Sequence, residues 1–135
     1  MMAALPLMLI PFVLYNLTMV GLFGEGGTAV LQNQIFSLNM MSGATWTMSL
    51  GDLFIVISLL ILFLEIFKAT RRSSLALVDH LFSMVLFIIY LVEFLLVQGA
   101  ATQIFFILMM ISFIDVVAGF TVSIKTASRD VSIGL

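Results

Sequence analysis

The sequence predicts an all-α integral membrane protein with four transmembrane helices and a partly interfacial outer segment between spans one and two. Of its 135 residues, 63% are hydrophobic and only 9% are charged, and the mean hydropathy is +1.30. The apolar residues form runs that approach the roughly 20 residues a helix needs to cross about 30 Å of hydrocarbon. These runs are continuous rather than alternating with period two, which favours helices over a membrane barrel.

The first apolar run differs from the other three because it contains Pro6, Pro11 and Asn16. Proline removes a backbone donor, so we expect a bent helix near Pro11. The run lacks the positively charged start of a signal peptide, and we therefore expect it to be retained as a span. All four spans belong to a single membrane domain over residues 1–135, and they cover about residues 3–23, 48–68, 79–98 and 103–124.

The outer segment, about residues 24–47, is the longest stretch outside the spans. Between residues 28 and 41, apolar side chains are interspersed with glutamine and asparagine in a pattern that fits a short helix lying on the outer leaflet. Trp46 is expected at the level of the lipid headgroups. The alternative is a loop that binds a partner.

The orientation follows from five basic residues, which lie in or beside the loop 69–78 and in the tail 125–135. Both places are on the same side of the membrane, and the outer segment contains no Lys or Arg. The positive-inside rule therefore places both termini in the cytoplasm, with a plasma membrane as the location and the bacterial inner membrane favoured. The predicted cytoplasmic charge cluster consists of Lys68, Arg71, Arg72, Lys125 and Arg129.

Three acidic residues fall within the predicted spans: Asp115 near the midplane, Glu93 nearer the outer surface, and Glu65 toward the cytoplasm. An Asp at the centre of a membrane helix costs about 2.5–3.5 kcal/mol on insertion, so each acid needs a partner. We expect no basic residue at the depth of Asp115 or Glu93, and an ion pair of Glu65 with Lys68 and Arg72 on its own helix.

Three roles are open for the deeper acids. Asp115 could be a neutral acid that donates a hydrogen bond to a neighbouring helix. Asp115, Glu93 and Glu65 could instead form a proton or cation path at staggered depths. A salt bridge to a basic residue of another protein is the third alternative.

Small or polar residues share helix faces with these acids at three- and four-residue spacing. Such faces are expected to turn inward and to allow close helix packing, and the short turn near Gly99 makes spans three and four an antiparallel hairpin. The predicted packing residues are Ser112, Gly119, Ser58 and Tyr90.

His80 and Asp79 stand at the expected start of span three. Asp79 there would complement the helix dipole, and His80 is expected to be a capping or interfacial residue. The spacing of Ala76 and His80 leaves a quinone or a pigment as a weaker alternative; otherwise no cofactor is predicted.

The composition excludes several functional classes. Without cysteine the chain has no disulfide, thiolate metal site or cysteine nucleophile, and its single histidine excludes a bis-histidine haem site within one chain. A net charge of −2 gives no nucleic-acid footprint. No motif suggests catalysis or a metal site.

We therefore expect a non-enzymatic accessory or scaffold subunit of a plasma-membrane complex, surrounded by the lipid bilayer and assembled with itself or with a larger complex. Its inward-facing acids and small-residue helix faces are the expected contacts. The alternative is a homo-oligomeric ion or proton channel, or a proton-coupled carrier, that uses Asp115 and Glu93.

Overall fold

In a computed structural model, the chain is mostly helical, with one small antiparallel sheet. The structure describes residues 5–22, 24–70 and 75–134, with their side chains except those of 75–76 and 123–134. Two short 3-10 turns, Gly27–Gln32 and Gln98–Ala100, connect the larger elements. These elements are α1 (Leu9–Met19), β1 (Gln34–Asn39), β2 (Thr45–Ser49), α2 (Leu50–Ala69), α3 (Leu75–Leu96) and α4 (Gln103–Gly134).

Within the described residues, three helices are long and apolar enough to cross a membrane. Their apolar stretches are each 20 residues long, or about 30 Å at the rise of an α-helix. This supports a membrane protein of helical-bundle character. The stretches are Leu50–Ala69, Leu77–Leu96 and Gln103–Val122.

Helix α3 begins at Leu75, earlier than predicted, because Leu75, Ala76 and Leu77 are strong helix formers that continue it backwards. Asp79 therefore lies in the second turn, and the first turn carries no acidic residue. The predicted capping roles of Asp79 and His80 at the helix start are therefore wrong, and the interfacial alternative for His80 stays a prediction.

The first helix is shorter than its apolar run. Helix α1 has 11 residues, or about 16 Å of helix. Pro11 lies in its first turn, where a backbone N–H has no intrahelical partner, so the proline removes no helical hydrogen bond there; the bend at Pro11 stays a prediction. The helix ends just before Gly21, whose φ of 93° is left-handed and terminates the helical backbone.

The outer segment folds as a β-hairpin and not as the helix predicted for residues 28–41. Only its first part is helical, as the 3-10 turn Gly27–Gln32. From Phe36 onward, apolar and polar side chains alternate in both strands, and period two fits a strand. The strands are joined by a tight turn in which the Met40 N–H donates to the Ala44 carbonyl at 2.7 Å and Gly43 adopts φ of 91°.

Strand β2 runs directly into helix α2. The Ser49 hydroxyl accepts from the Asp52 N–H at 3.2 Å, and the Asp52 carboxylate accepts from the Ser49 N–H at 3.1 Å. This reciprocal capping box satisfies free donors at the start of the helix. The Leu50 N–H also donates to the Asn33 carbonyl at 3.0 Å, which fixes the hairpin to the helix start.

Helix α4 packs against both α2 and α3, and the turn Gln98–Ala100 makes α3 and α4 the predicted antiparallel hairpin. Phe105 of α4 is fully buried at the end of the bundle where α4 begins. Its ring centroid lies 4.9 Å from that of Tyr15, 5.4 Å from that of Tyr90 and 6.5 Å from that of Phe12. An aromatic core thus joins α1 to the long helices.

Candidate functional site: two buried polar clusters

The first cluster lies where α2 ends, and Lys68 is at its centre. The Lys68 ammonium lies 3.1 Å from a Glu65 carboxylate oxygen and 3.1 Å from one of Asp79. It also donates to the Leu5 carbonyl at 2.8 Å. One side chain therefore connects α2, α3 and the segment before α1. We call Lys68, Glu65, Asp79 and Asp115 the lysine cluster.

Glu65 also binds the segment that precedes α1. Its side chain is almost completely buried, and its carboxylate accepts from the Leu7 N–H at 2.9 Å. The predicted ion pair of Glu65 with Lys68 is confirmed, whereas Arg72 lies outside the described residues. The contacts with Leu7 and Leu5 were not predicted, because they join residues about sixty positions apart.

Asp115 completes the lysine cluster from α4. Its side chain is buried, the Ser83 hydroxyl contacts its carboxyl, and the charges of Glu65, Asp79 and Lys68 act on it. At the helical rise, Asp115 lies about 18 Å along α4 and Ser83 about 20 Å from the end of α3, so the two share a level.

Asp115 forms no ion pair with a basic residue among the described residues, and the expectation that no basic residue lies at its level stays a prediction. The Cα atom of Lys68 lies about 9 Å further along α2 than the level of Asp115, but the Lys68 side chain leans back toward the N-terminus of α2 and into the interior. The cluster thus contains three carboxyl groups and one ammonium. With all acids ionised it would carry two uncompensated negative charges, which a buried site avoids by holding protons or a cation.

The second cluster lies at the other end of the bundle, where α3 ends and α4 begins, around Tyr15. The Tyr15 hydroxyl is bonded to the Thr102 hydroxyl and donates to the Gly99 carbonyl at 3.0 Å. These bonds fix α1 to the turn between α3 and α4. Tyr15 is fully buried, so its hydroxyl needs such partners.

Tyr90 and Glu93 join the same region from α3. The Tyr90 hydroxyl donates to the Met8 carbonyl at 3.1 Å. The Asn16 amide donates to the Phe12 carbonyl at 2.9 Å and lies near the Glu93 carboxyl, and the charge of Glu93 acts on both tyrosines. We call Tyr15, Asn16, Tyr90, Glu93 and Thr102 the tyrosine cluster.

An apolar layer separates the two clusters. Leu86 lies between Ser83 and Tyr90 on α3, and Leu108 and Ile111 lie between Phe105 and Asp115 on α4. All three layer residues, Leu86, Leu108 and Ile111, are buried. Asp115 and Glu93 are about 14 Å apart along the helix axes, and the buried hydroxyls of Ser58 and Ser112 lie at about the level of the apolar layer. Of the residues of the predicted path, Asp115 and Glu65 share the lysine cluster and Glu93 lies apart from them, so a path at staggered depths stays a prediction.

His80 packs against α4 rather than capping α3. Its ring lies over Gly119, where an added Cβ would be 3.5 Å from the His80 Nδ1. The centroids of the His80 and Phe120 rings are 5.4 Å apart. Its buried Nε2 has no hydrogen-bond partner among the described residues. The side chain of Ala76 lies outside the described residues, so the quinone or pigment alternative stays a prediction.

The predicted packing residues are buried inside the chain. Ser58 is fully buried and its hydroxyl donates to the Phe54 carbonyl at 2.7 Å. Ser112 is also buried, but its hydroxyl has no hydrogen-bond partner among the described residues. Gly119 and Tyr90 face the interior as well. In the predicted charge cluster, Arg71 and Arg72 and the side chains of Lys125 and Arg129 lie outside the described residues.

Sequence reasoning missed most of the tyrosine cluster. Asn16 was the available signal, because a polar amide in an apolar run needs a partner. Tyr15 and Thr102 gave no comparable signal, since both are ordinary residues at the ends of membrane helices.

Other chemistry in the described part of the chain is sparse. No group of three His, Asp or Glu residues there could hold a metal ion. An open cleft of about 330 Å³ lies between the turn Gly27–Gln32 and the start of α4. Thr28, Gln32 and Gln103 contribute its hydroxyl and amide groups, and no charged residue lines it.

Comparison with protein-family models, curated proteins and solved structures gave no significant match to the chain. The fold and the two polar clusters are therefore the observations from which its function is inferred.

Proposed function

We propose that the chain is a non-enzymatic accessory or scaffold subunit of a plasma-membrane complex, in a bacterial inner membrane with both termini in the cytoplasm. The observation that carries the proposal is that its buried acids contact groups of the same chain. Glu65 and Asp79 share Lys68, Asp115 contacts Ser83, and Glu93 faces Asn16. Such a self-contained bundle has a rigid interior and an apolar exterior.

This geometry changes the expected assembly surface. The acids and small residues stabilise the subunit from within, so contacts with other subunits fall to the exposed apolar side chains. On α2, Phe63 and Phe67 are 65% and 56% exposed, and their rings stack with centroids 6.5 Å apart. A rigid aromatic pair on a membrane helix offers a shape that a neighbouring helix can pack against.

Native mass spectrometry of the protein, extracted gently from its own membrane, tests this proposal. We expect foreign subunits in a fixed ratio, and we expect Phe63→Ala with Phe67→Ala to remove them without unfolding the chain. Leu95→Ala is the matched control, because Leu95 is an exposed apolar residue on α3. Only single chains, or only rings of identical chains, would contradict the accessory role.

A homo-oligomeric ion or proton channel, or a proton-coupled carrier, is the second candidate. It is favoured by the excess of acids in the lysine cluster and by buried oxygens of Glu93 and Ser112 that have no hydrogen-bond partner among the described residues. For conduction the apolar layer would have to open between Asp115 and Glu93. The layer is the reason that this candidate stands second.

Flux into reconstituted vesicles tests the second candidate. A pore or carrier predicts proton or cation flux in the wild type and its loss in Asp115→Asn, with the oligomer intact. Leu60→Ala, on the exposed side of α2, is the control. Inert wild-type vesicles across pH and ion gradients would count against transport.

A further inference from the structure

The β-hairpin has two faces of opposite chemistry. Residues opposite one another in an antiparallel pair project to the same side of the sheet. The pairing therefore places four apolar side chains on one side and four hydroxyl or amide side chains on the other. The apolar hairpin face consists of Phe36, Leu38, Trp46 and Met48, and the polar hairpin face of Ser37, Asn39, Thr45 and Thr47.

The apolar hairpin face is not covered by the bundle. Phe36, Leu38 and Trp46 are 41%, 53% and 42% exposed. The rings of Phe36 and Trp46 pack edge to face with centroids 5.4 Å apart, so the face is ordered rather than a loose set of side chains. A two-stranded sheet that exposes such a face to water is marginal by itself, and it gains stability when the face is covered.

The position of the hairpin identifies what covers it. Strand β2 continues without a break into α2, one of the helices long enough to cross a membrane. Trp46 is four residues before Leu50, so it is within about 13 Å of the helix start along the strand. If the hairpin stood upright on the membrane, Trp46 would be in water above the headgroups. If the hairpin lay flat on the membrane, Trp46 would be among the headgroups.

The charge pattern favours lipid as the partner. No residue between Glu25 and Asp52 is charged, so the whole hairpin can approach the hydrocarbon boundary without desolvating an ion. Tryptophan itself favours the membrane interface, where its ring meets acyl chains and its N–H meets water or headgroups.

We propose that the apolar hairpin face binds the bilayer surface on the side where α2 begins. The hairpin lies on the membrane, with the polar hairpin face toward water. This interaction goes beyond the accessory role, because it concerns lipid and holds whatever complex the chain joins. It does not depend on anionic lipid, because the hairpin contains no Lys or Arg.

Fluorescence of Trp46 tests the proposal directly, because it is the single tryptophan of the chain. The full chain is placed in phosphatidylcholine nanodiscs, with brominated acyl chains as quenchers in the lipid and acrylamide as the quencher in water. The matched variant, Trp46→Phe with Thr47→Trp, moves the indole one position along β2 to the polar hairpin face.

We expect brominated lipid to quench Trp46 by roughly half or more, with bromines near the headgroups more effective than deep ones, and acrylamide to have little effect. The Thr47→Trp variant should show the reverse order. Adding phosphatidylglycerol should leave both results unchanged. The wild-type measurement needs no substitution, so it decides the question even if the variant does not fold.

Two outcomes would overturn the proposal. If acrylamide quenches Trp46 strongly and brominated lipid does not, the hairpin stands in water. If neither acrylamide nor brominated lipid quenches Trp46, protein covers the face, and the occupant is a second copy or another subunit rather than lipid.

Discussion

Replacing Lys68 by methionine tests whether the lysine cluster holds its end of the bundle together. Methionine keeps a long apolar stem but removes the ammonium that Glu65, Asp79 and the Leu5 carbonyl share. Two carboxylates would then face each other in the interior without a base. The segment before α1 would also lose its contact with α2 through the Leu5 carbonyl.

The expected magnitude follows from burial. Removing one partner of a fully buried ion pair costs about 3–5 kcal/mol, because the other charge is left uncompensated. The Glu65 side chain is 2% exposed but that of Lys68 is 19% exposed. Water at Lys68 and proton uptake by the acids reduce the cost, so we expect a loss of about 2–3 kcal/mol.

The assay is reversible unfolding of the chain in mild detergent by added dodecyl sulfate, followed by helical circular dichroism. Lys68→Arg should retain most of the stability, because a guanidinium can bridge the same carboxylates. The triple variant Lys68→Met, Glu65→Gln, Asp79→Asn should recover much of the loss, since it removes the acids together with the base. A Lys68→Met protein within about 0.5 kcal/mol of the wild type would refute the reasoning.

Substitutions at two further residues probe the other buried groups. Asp115→Asn should cost less than about 1 kcal/mol in the same assay, because an amide still bonds the facing hydroxyl, while Asp115→Leu should cost about 1–2 kcal/mol. Neither should change the subunits seen by native mass spectrometry; losing a partner with the fold intact would place Asp115 at a subunit interface. Tyr90→Phe should cost about 0.5–1.5 kcal/mol, because the hydrogen bond to the Met8 carbonyl is lost while this carbonyl, at the N-cap of α1, keeps its intrahelical bond, and unchanged stability would contradict this hydrogen bond.

The long helices were predictable because lipid imposes a continuous apolar run on any segment that crosses it. The hairpin was not, because Leu31 and Ile35 at a spacing of four mimic a helix face while the alternation from Phe36 to Asn39 is short. The tight turn at Gly43 was the overlooked signal for paired strands.

In the candidate site, too, the contacts between neighbours in sequence were predictable and the contacts between distant residues were not. Glu65 and Lys68 are three residues apart on one helix, so their pairing follows from helical geometry. The contacts of Lys68 with Asp79 and Leu5 depend on how three separate elements pack. Periodicity carries no information about such packing, which is why these distant contacts could not be predicted.

The contacts of α1 also set an order of events during synthesis. Its partners come far downstream in the chain: Leu7 bonds a residue 58 positions later, and the hydroxyl of Tyr15 bonds one 84 positions later. Helix α1 therefore leaves the ribosome before the residues that it binds, and it finishes docking only after they have been made. A nascent chain that ends after α2 would already secure one end of α1, but the other end would wait for the turn between α3 and α4.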